Sequence, residues 1–431
     1  MDEAMLADAL HDRLGPVAIT GMTRLSGGAS RETWAFDAIR PDGSVAELVL
    51  RRDPLGRPSE PGAMGREALA ITAAGVAGLA APEVLMWTDG PELWESAGLV
   101  MRRVAGETIA RRILRDDVYR RARGALIGEL GQFAAGLHAL EVTGDFPAPA
   151  PDPLGELREL LAACGPVSPT FELALRALEA APPPPRGTVL VHGDLRLGNL
   201  IVGPDGLHAV IDWELVHTGS PAEDLGWLCV KAWRFGSSLP AAGLGTRKEL
   251  LAAYRAAGGA NIGLEELRWW EILGTLRWGL MCVSQAQAHL SGAHRSVELA
   301  AIGRRVCEQE WDLLLLLEPE AAARAAVRRP RASGEARADP APFGRPTASE
   351  LLDAVREFLT DRVMPATDGQ LAFHARVAAN ALGVVARELE LGPGVVPPDA
   401  AGLAVLADPD GLAEGVAARL AVANPRYFGE P

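Results

Sequence analysis

The sequence predicts an α+β, bilobal architecture: a small, mostly antiparallel β lobe, then a larger helical lobe, with an all-α unit appended at the C-terminus. Short apolar runs broken by Gly, Pro and Asp fill residues 15–104, as in AELVLRR and GLVMRRV. Helical periodicity dominates residues 106–329 and returns after residue 347. We therefore expect an N-terminal lobe at 1–105, a helical lobe at 106–329, a linker at 330–346 and a helical domain at 347–431.

The end of the chain carries its own signals. Residues 328–346 are rich in Arg, Ala and Pro without an apolar period, which is typical of a flexible linker. Thr347 and Glu350 then form a T-x-x-E capping box before an amphipathic helix, and further helical patterns cover 370–389 and 410–423. We expect this domain to support homo-oligomer formation, with a lid or a scaffold as the alternatives.

Composition excludes several classes of protein. A hydrophobic content of 48% with 23% charged residues is typical of a globular protein, and the net charge of −14 argues against a hold on nucleic acid. No stretch approaches the roughly 18 uninterrupted apolar residues of a membrane span, and the acidic start lacks a signal-peptide pattern. We therefore expect a cytoplasmic protein with no membrane partner, and the scattered cysteines predict reduced thiols.

The segment VLVHGDLRLGNLIV carries the candidate chemistry. Asp194 follows His192 and Gly193, and Asn199 lies five residues after Asp194. The same offset separates the base from the metal-binding Asn in the H-R-D-x-x-x-x-N loop of protein kinases. Phosphoryl transfer requires a carboxylate that orients the attacking hydroxyl and oxygen ligands that hold a metal ion on the phosphates. We predict Asp194 as the catalytic base and Asn199 as a metal ligand.

A β-hairpin follows this loop. After Asn199 the sequence reads LIV, then the turn GPDG, then LHAVI, and it ends on Asp212. If Val202 pairs with Leu207, Asn199 and Asp212 lie about two residues apart across the ladder. Amide and carboxylate oxygens are ligands that Mg²⁺ accepts in proteins. The hairpin therefore predicts a Mg²⁺ site at Asn199 and Asp212.

The segments HGDLRLGNLIV and IDWELVHTGSPAEDLGWL, with the preceding lobe, resemble the aminoglycoside phosphotransferase and choline kinase superfamily over roughly residues 20–320. The resemblance implies a protein-kinase-like fold, with Asp194 as the base and with Mg²⁺ bound by Asn199 and Asp212. It also implies that Asp224 braces the catalytic loop, and we assign His192 a positioning role. In particular, the chain resembles kinase-like proteins related to the domain fused to certain acyl-CoA dehydrogenases, and its trailing unit resembles a small uncharacterised helical domain seen with them.

The β lobe offers a nucleotide site. A small-residue loop between two candidate strands resembles the nucleotide-positioning loop of the family, so we predict that ATP or GTP contacts Ser26, Gly27, Gly28 and Ser30. The next strand offers Arg51 or Arg52 where kinases carry a phosphate-binding Lys. Because strand alternation turns only one of them inward, we favour Arg51, with Glu67 as its partner; the alternative for Glu67 is a solvated helix face. By resemblance, backbone groups near Met101 and Arg103 form the hinge that binds the nucleobase.

The acceptor is predicted as the hydroxyl of a small molecule. Three classes compete: an aminoglycoside, an amino alcohol such as choline, and a hydroxylated acyl compound, of which we favour the last. Helical spacing of Trp269, Trp270 and Trp278 indicates core packing, and neither these residues nor His289 is assigned to the acceptor. A catalytically silent nucleotide-binding module is the remaining alternative; an Arg in place of the Lys supports it, and the intact base and metal ligands oppose it.

Overall fold

The computed structural model describes residues 3–25, 31–55, 60–91, 93–141, 146, 153–164, 168–330, 346–392 and 408–428. The chain divides into two compact units. Unit 1 comprises Met1–Ala150 and Pro184–Trp270, and unit 2 comprises Pro151–Pro183 and Glu271–Pro431. The β lobe and the segment around Asp194 therefore belong to the same compact unit. The four domain limits expected from the sequence stay predictions.

A five-stranded antiparallel sheet forms the first part of unit 1. Its neighbours run in the order β1-β2-β3-β5-β4. The strands are β1 (Ala18–Arg24), β2 (Glu32–Ile39), β3 (Val45–Arg52), β4 (Val84–Thr88) and β5 (Gly98–Arg102). This sheet is the small β lobe that the apolar runs of the sequence predict.

The two faces of the sheet pack against different helices. Residues of β3 alternate, so that Leu48 and Leu50 join the core formed with α1 (Glu3–Leu14). The other face packs Met101 of β5 against Met64 of α2 (Ala63–Val76). Removing each of these apolar side chains from water contributes about 2 kcal/mol to folding. Side chains on the α2 face of β3 are thereby directed toward that helix.

A side chain outside helix α2 caps the N-terminus of that helix. It begins after Gly62, whose φ of 74° is left-handed and favours glycine. The Oδ1 atom of Asp89 accepts hydrogen bonds from the backbone amides of Met64 and Gly65, each at 3.0 Å. These amides would otherwise lack an intrahelical partner, so the Asp89 carboxylate anchors the first turn. The anchor helps to hold in place the helix that carries Glu67.

The helical part of unit 1 surrounds two short antiparallel ribbons. The ribbons pair β6 (Val189–Val191) with β9 (His217–Gly219) and β7 (Leu200–Val202) with β8 (Leu207–Val210). The helices are α3 (Ala110–Arg115), α4 (Arg120–His138), α7 (Pro221–Cys229), α8 (Arg247–Ala256) and the start of α9 (Leu264–Leu290). A Cβ atom at Gly131 would lie 2.6 Å from Cβ of Ala253, so glycine is required where α4 packs on α8.

The described residues of unit 2 form helices that are joined by turns and loops. It holds the end of α9 and α5 (Pro153–Ala163), α6 (Pro169–Ala180), α10 (Val297–Gly303), α11 (Val306–Leu317), α12 (Pro319–Arg328), α13 (Ala348–Phe358), α14 (Gly369–Leu391) and α15 (Pro409–Ala423). One of its cores packs Trp311 and Leu314 of α11 against Val416 and Leu420 of α15. The capping box at Thr347 and the helices predicted at 370–389 and 410–423 are confirmed.

Within the described ranges, none of the helices combines the length and the apolarity needed to cross a lipid bilayer. Cys164, Cys229, Cys282 and Cys307 are free thiols and are buried.

Candidate active site

A first cluster of charged side chains forms around Arg51 on the α2 face of the sheet. Arg51 donates from Nη1 to Oε1 of Glu67 at 2.5 Å and from Nη2 to Oδ1 of Asp212 at 2.7 Å. Glu67 is completely buried and also accepts a hydrogen bond from Arg31. Glu67 is therefore not on a solvated helix face. The structure brings together Arg51, Glu67 and Asp212, as the sequence predicts for the first two.

The neighbouring Arg52 points to the opposite face of the sheet. Its guanidinium donates to Oε2 of Glu32 at 2.9 and 3.0 Å, and Nη1 donates to the carbonyl oxygen of Trp94 at 3.3 Å. Strand alternation thus separates the two arginines. Arg51 is the one that faces α2, in agreement with the choice made from the sequence, and its contact with phosphates stays a prediction.

Carboxylates share guanidinium groups in this cluster. Two guanidinium groups face four carboxylates: Arg31 and Arg51 against Asp53, Glu67, Asp212 and Glu214. Nε of Arg31 lies 3.1 Å from Asp53, and Nη2 of Arg51 lies 3.8 Å from Glu214. The guanidinium of Arg196 adds a third positive charge that acts on Asp212. The carboxylates of the cluster are therefore held by charge pairing.

Ionisation in the cluster follows from these pairings. Burial alone would raise the pKa of Asp212, but the guanidinium groups of Arg51 and Arg196 outweigh burial and hold that pKa below its usual range. Burial likewise works against the charge on Arg51, and the carboxylates of Glu67 and Asp212 outweigh it and raise the pKa of Arg51. Both groups are consequently charged at neutral pH.

A second cluster surrounds Asp194. Its Oδ1 accepts hydrogen bonds from Nε1 of Trp227 at 2.7 Å and from Nε of Arg196 at 2.9 Å. Its Oδ2 accepts from the same Nε at 3.0 Å and from Nδ2 of Asn199 at 2.6 Å. Nδ2 of Asn199 also donates to the carbonyl oxygen of Asp194 at 2.9 Å. The predicted base and the predicted metal ligand are therefore joined directly.

Asp224 braces the loop that carries Asp194. Its buried carboxylate accepts hydrogen bonds from the amides of His192 at 2.8 Å and Gly193 at 2.9 Å. Burial raises the pKa of Asp224, but the hydrogen bonds from His138 and from the amide of His192 lower it overall. Gly193 has a φ of +79°, and a Cβ atom there would lie 2.4 Å from the carbonyl oxygen of Leu215. The structure thus gives Asp224 the bracing position that the resemblance implies.

His192 connects the loop to the hairpin. Nδ1 accepts from the amide of Asp194 at 3.2 Å, and Nε2 lies 3.2 Å from the carbonyl oxygen of Ile211. Burial lowers the pKa of His192 and outweighs the attraction of Asp224 and Asp194. The imidazole is therefore neutral, with its proton on Nε2, as these two contacts require. Its contacts are those of a positioning residue.

The hairpin predicted after Asn199 is confirmed. Leu200 pairs with Val210 and Val202 pairs with Leu207, with an irregularity between residues 201 and 202. The amide of Ile211 then donates to the carbonyl oxygen of Asn199 at 2.9 Å. Asp212 is thus one residue beyond the partner of Asn199, closer than the sequence estimate. Its φ of +69° is left-handed, a conformation that Asp tolerates better than most residues.

The oxygen donors of this pair fit Mg²⁺. Because Nδ2 of Asn199 faces Asp194, the opposite end of its amide, Oδ1, is available to a metal ion. Oδ2 of Asp212 has no hydrogen-bond partner among the described residues, since Arg51 contacts Oδ1. In the same residues, no group of three or more His, Cys, Asp or Glu side chains forms a metal cage. A Mg²⁺ ion held by one amide and one carboxylate takes further oxygens from substrate phosphates and water.

Backbone amides of the predicted nucleobase hinge make hydrogen bonds to other parts of the β lobe. The amide of Arg102 donates to the carbonyl oxygen of Glu83 at 2.8 Å, and the amide of Arg103 donates to the carbonyl oxygen of Glu47 at 3.0 Å. The guanidinium of Arg103 contacts the carboxylates of Asp37 and Glu47. Met101 packs in the core between the sheet and α2. The base contacts expected near Met101 and Arg103 stay a prediction, and Ser26, Gly27, Gly28 and Ser30 lie outside the described residues.

Trp269 and Trp270, which the sequence assigns to core packing, are buried, and their rings meet edge to face. Trp278, placed with them, is partly buried.

Sequence reasoning missed several residues that shape the site. Arg196 and Trp227 contact Asp194, and their positions, two residues after the base and three after Asp224, are the signals that mark them. His138 connects Tyr254 to Asp224, with Nδ1 2.9 Å from the Tyr254 hydroxyl. These two hydrogen bonds join α4, α8 and α7, which lie up to more than a hundred residues apart in sequence. Local spacing in the sequence therefore could not predict them.

These two clusters, set between an antiparallel sheet and a helical body, define a small-molecule phosphotransferase with a protein-kinase-like fold. The family model described as Phosphotransferase enzyme family (APH) matches residues 21–270, which is more than half of the chain, so the protein belongs to that family. Residues 365–414 match a second model, a domain of unknown function, DUF6285.

Solved structures share the fold at low identity. A putative aminoglycoside phosphotransferase from Ralstonia eutropha JMP134 superposes with a TM-score of 0.59 and 19% identity, over 74% of this chain and 98% of that chain. A thermostable mutant of aminoglycoside phosphotransferase APH(4)-Ia in complex with AMP-PNP and hygromycin B gives a TM-score of 0.50 and 17% identity, over 73% and 98%. The predicted superfamily and fold are confirmed.

One curated relative matches a short part of the chain. Mouse (Mus musculus) acyl-CoA dehydrogenase family member 10 is 40% identical over 74 residues, which are 17% of this chain and 7% of that protein. This match agrees with the resemblance to domains fused to acyl-CoA dehydrogenases.

Proposed function

We propose that this protein transfers the γ-phosphoryl group of ATP or GTP to the hydroxyl of a small metabolic molecule of the hydroxyacyl type. The observation that carries the proposal is the direct link between the two halves of the site. Asn199 contacts the carboxylate of Asp194 at 2.6 Å, and its carbonyl oxygen accepts from Ile211, the residue before Asp212. Base and metal ligands are thereby held in one rigid arrangement.

In the proposed reaction, Asp194 orients the acceptor hydroxyl and receives its proton. The acceptor oxygen forms a bond to the γ-phosphorus, the bond from the γ-phosphorus to the β,γ-bridging oxygen breaks, and the nucleoside diphosphate leaves with the bond electrons. Asn199 and Asp212 would hold Mg²⁺, which neutralises charge on the phosphates when bound. The brace from Asp224 and His192 keeps Asp194 from turning away during the transfer.

Arg51 is the proposed contact to the α- and β-phosphates. Its guanidinium is charged and is positioned by Glu67, which remains buried beside it. Its second contact is to Asp212. When nucleotide and metal ion bind, phosphate oxygens can replace Asp212 as the partner of Arg51, and the metal ion can replace Arg51 as the partner of Asp212. An arginine in this place can grip phosphate with two donors, unlike the Lys of protein kinases.

The acceptor class rests on the similarity to acyl-CoA dehydrogenase family member 10, whose name favours a hydroxylated acyl compound. The structural neighbours named aminoglycoside phosphotransferases keep an aminoglycoside acceptor as the second candidate. A choline-type acceptor and a silent nucleotide-binding module are the remaining alternatives.

We retain the proposal that residues 347–431 associate two copies, supported by exposed apolar side chains on α13 and α14 such as Phe358 and Leu371.

Transfer from ATP and Mg²⁺ to a panel of hydroxyacyl-CoAs, choline and aminoglycosides, read as phosphorylated product masses, tests the proposal. Asp194→Asn keeps the shape of the side chain and removes its negative charge, so we expect transfer to fall by about 10²- to 10⁴-fold. The matched control is Asp205→Asn, since Asp205 is the exposed turn residue of the adjoining hairpin. Equal transfer by Asp194→Asn and the wild type would refute the proposal.

A further inference from the structure

A chain of hydrogen bonds leaves the catalytic loop and continues through helices α7, α4 and α8 of unit 1. Asp224 accepts from the amides of His192 and Gly193, and its Oδ2 also lies 3.3 Å from Nε2 of His138. Nδ1 of His138 lies 2.9 Å from the hydroxyl of Tyr254. The side chains of Asp224, His138 and Tyr254 are all buried. The brace of the catalytic loop therefore extends two residues farther into the helical body.

The turn that follows α8 fixes the far end of this chain of hydrogen bonds. The backbone amide of Ala260 donates to the phenol oxygen of Tyr254, and the amide of Gly259 donates to the carbonyl oxygen of Tyr254 at 3.0 Å. A Cβ atom at Gly259 would lie 2.5 Å from two carbon atoms of the Tyr254 ring, so glycine is required for this approach. Arg186 donates to the carbonyl oxygen of Asn261 at 2.8 Å and holds the same turn. The phenol of Tyr254 is therefore held in one position.

The contacts of Tyr254 decide which nitrogen of His138 carries the proton. Burial raises the pKa of Tyr254, so the phenol keeps its proton at neutral pH. Its oxygen accepts from Ala260, and its other hydrogen-bond contact among the described residues is Nδ1 of His138. The phenol proton therefore points to Nδ1, and the proton of the imidazole lies on Nε2. Nε2 then donates to the ionised carboxylate of Asp224.

His138 is the donor to Asp224 that does not belong to the catalytic loop. The two amide donors of Asp224 are part of the loop itself, so they move with it. His138 belongs to α4, a helix of 19 residues that packs on α8. Without the contact from α4, the carboxylate can turn about its Cβ–Cγ bond and change the direction in which it holds the amide of Gly193. Asp194 follows Gly193 directly, so such a turn displaces the proposed base.

We propose that His138 and Tyr254 are positioning residues for phosphoryl transfer. Tyr254 keeps the proton of His138 on Nε2, and His138 thereby holds Asp224 in the rotamer that supports the catalytic loop. This inference rests on the proposed function and adds two residues that touch neither nucleotide, metal ion nor acceptor. A displacement of about 1 Å in a reacting group can lower the rate about a hundredfold. The proposed nucleotide contacts lie on the β lobe, so the effect falls on kcat and KM for ATP stays the same.

Substitutions of His138 test its link to Asp224. His138→Leu removes the donor to Asp224, and we expect kcat to fall about tenfold to a hundredfold while KM for ATP stays within about twofold. His138→Gln places an amide N–H near the position of Nε2, so its kcat should stay within about fivefold of the wild type. The control is His294→Leu, since His294 is exposed. Rates are measured with ATP, Mg²⁺ and the member of the acceptor panel that the wild type phosphorylates fastest.

Tyr254→Phe tests the position of the imidazole proton, because it removes only the hydroxyl. Nδ1 of His138 then loses its donor, so the proton should redistribute between Nδ1 and Nε2. Long-range ¹H–¹⁵N spectra of the histidine rings, assigned by comparison with His138→Gln, follow this change, and kcat should fall about fivefold. Tyr119→Phe is the matched control, since the side chain of Tyr119 makes no hydrogen bond among the described residues.

Hydrogen exchange of the loop amides measures the brace without any phosphoryl transfer. Mass spectrometry of the peptide that contains His192 and Gly193 should show exchange about tenfold faster in His138→Leu than in the wild type, with unchanged exchange in β2 and β3.

Three results would overturn the inference. They are wild-type kcat in folded His138→Leu and Tyr254→Phe, a wild-type His138 with its proton on Nδ1, and faster exchange that spreads over the whole protein. If the wild type phosphorylates none of the acceptors, the proposed function itself fails, and the exchange and the ring spectra still decide whether His138 holds Asp224.

Discussion

The two charged clusters of the proposed site each place an arginine on a carboxylate of the proposed chemistry, but the two arginines are held differently. Arg51 bridges the carboxylates of Glu67 and Asp212, and its side chain is 11% exposed. Arg196 holds Asp194 through Nε alone, its side chain is 24% exposed, and its guanidinium lies over the ring of Trp233. Glu67, the partner of Arg51, is completely buried, whereas the side chain of Asp194 is 13% exposed.

This difference separates a buried pairing from a partly solvated one. Glu67 stays with Arg51 whatever binds, because a buried carboxylate without its cation would be strongly destabilised. Arg196 pairs with Asp194, whose side chain is 13% exposed, and its charge also acts on Asp212. The Arg51 pairing therefore depends on a completely buried partner, and the Arg196 pairing does not.

The largest effect is expected at Asp212, which belongs to the fixed side. Asp212→Asn keeps the size of the side chain but removes a metal-binding charge, so we expect kcat for phosphoryl transfer to fall about 10³-fold, or about 4 kcal/mol. Steady-state kinetics over a range of Mg²⁺ concentrations measures this change. Asp205→Asn in the turn of the same hairpin should leave kcat within about twofold. Comparable losses of kcat in the two variants would show that Asp212 is not a metal ligand.

Glu67→Gln tests the buried pairing with Arg51 through its contribution to the free energy of unfolding. The change leaves Arg31 and Arg51 facing a neutral buried amide, and we expect the free energy of unfolding to fall by about 3 kcal/mol. Urea denaturation followed by circular dichroism gives that value. Glu60→Gln is the matched control, because Glu60 is an exposed residue paired with Arg66, and its loss should be under about 1 kcal/mol. If Glu67→Gln is as stable as the control, Glu67 is not the fixed partner of Arg51.

Adjacent arginines on opposite faces of β3 provide the next test. Arg51→Lys loses the two-donor grip, so we expect KM for ATP to rise about tenfold, while kcat changes less. Arg52→Lys should leave KM for ATP unchanged, since Arg52 binds Glu32 and Trp94 on the other face. Initial-rate kinetics with varied ATP distinguishes the variants. A higher KM for Arg52→Lys than for Arg51→Lys would reverse the assignment.

The smallest effect concerns His208 in the hairpin, beside the segment that joins the β lobe to the helices. Its Nδ1 faces the carbonyl oxygen of Ala105 at 2.7 Å and its Nε2 faces the carboxylate of Asp205 at 3.0 Å. Both partners are acceptors, so the protonated imidazole makes both bonds, and the contact with Ala105 and then Asp205 raises the pKa of His208. A raised pKa in the folded state gives stability that is complete below the unfolded pKa of about 6.5 and is lost as the pH rises through the folded value.

Thermal unfolding of the wild type and of His208→Gln at a series of pH values checks this. We expect a difference in Tm of about 1 °C or more at about pH 6, and a smaller difference at about pH 9. A difference that grows with pH would show that the neutral imidazole, and not the cation, stabilises the hairpin.

Much of the site could be predicted from spacing that is local in sequence. The offset from Asp194 to Asn199 and the GPDG turn fix the loop and the hairpin, because short-range geometry leaves little freedom there. Strand alternation likewise predicts that only one of Arg51 and Arg52 faces α2, and in the structure it is Arg51, the residue favoured from the sequence. The same rules located the helix that carries Glu67 and the capping box at Thr347.

Contacts between residues far apart in sequence could not be predicted in this way. The contact of Arg51 with Asp212 joins residues 161 positions apart, and His138 meets Asp224 over 86 positions, so no local pattern encodes either pair. The contact of Arg196 with Asp194 was also not predicted, although the two residues are only two positions apart. A sequence shows which charges are near the base, and only the fold shows which of them occupies its oxygens.

Nucleotide binding and turnover, measured on the same Asp194→Asn protein, test the central claim most directly. Titration calorimetry with ADP and Mg²⁺ gives Kd, and ³¹P nuclear magnetic resonance follows conversion of ATP to ADP and a phosphomonoester. If Asp194 is the base and Asn199 and Asp212 hold the metal ion, Kd should stay within about twofold of the wild type while transfer falls at least about a hundredfold. Transfer at the wild-type rate, or loss of nucleotide binding in a folded protein, would contradict the assignment.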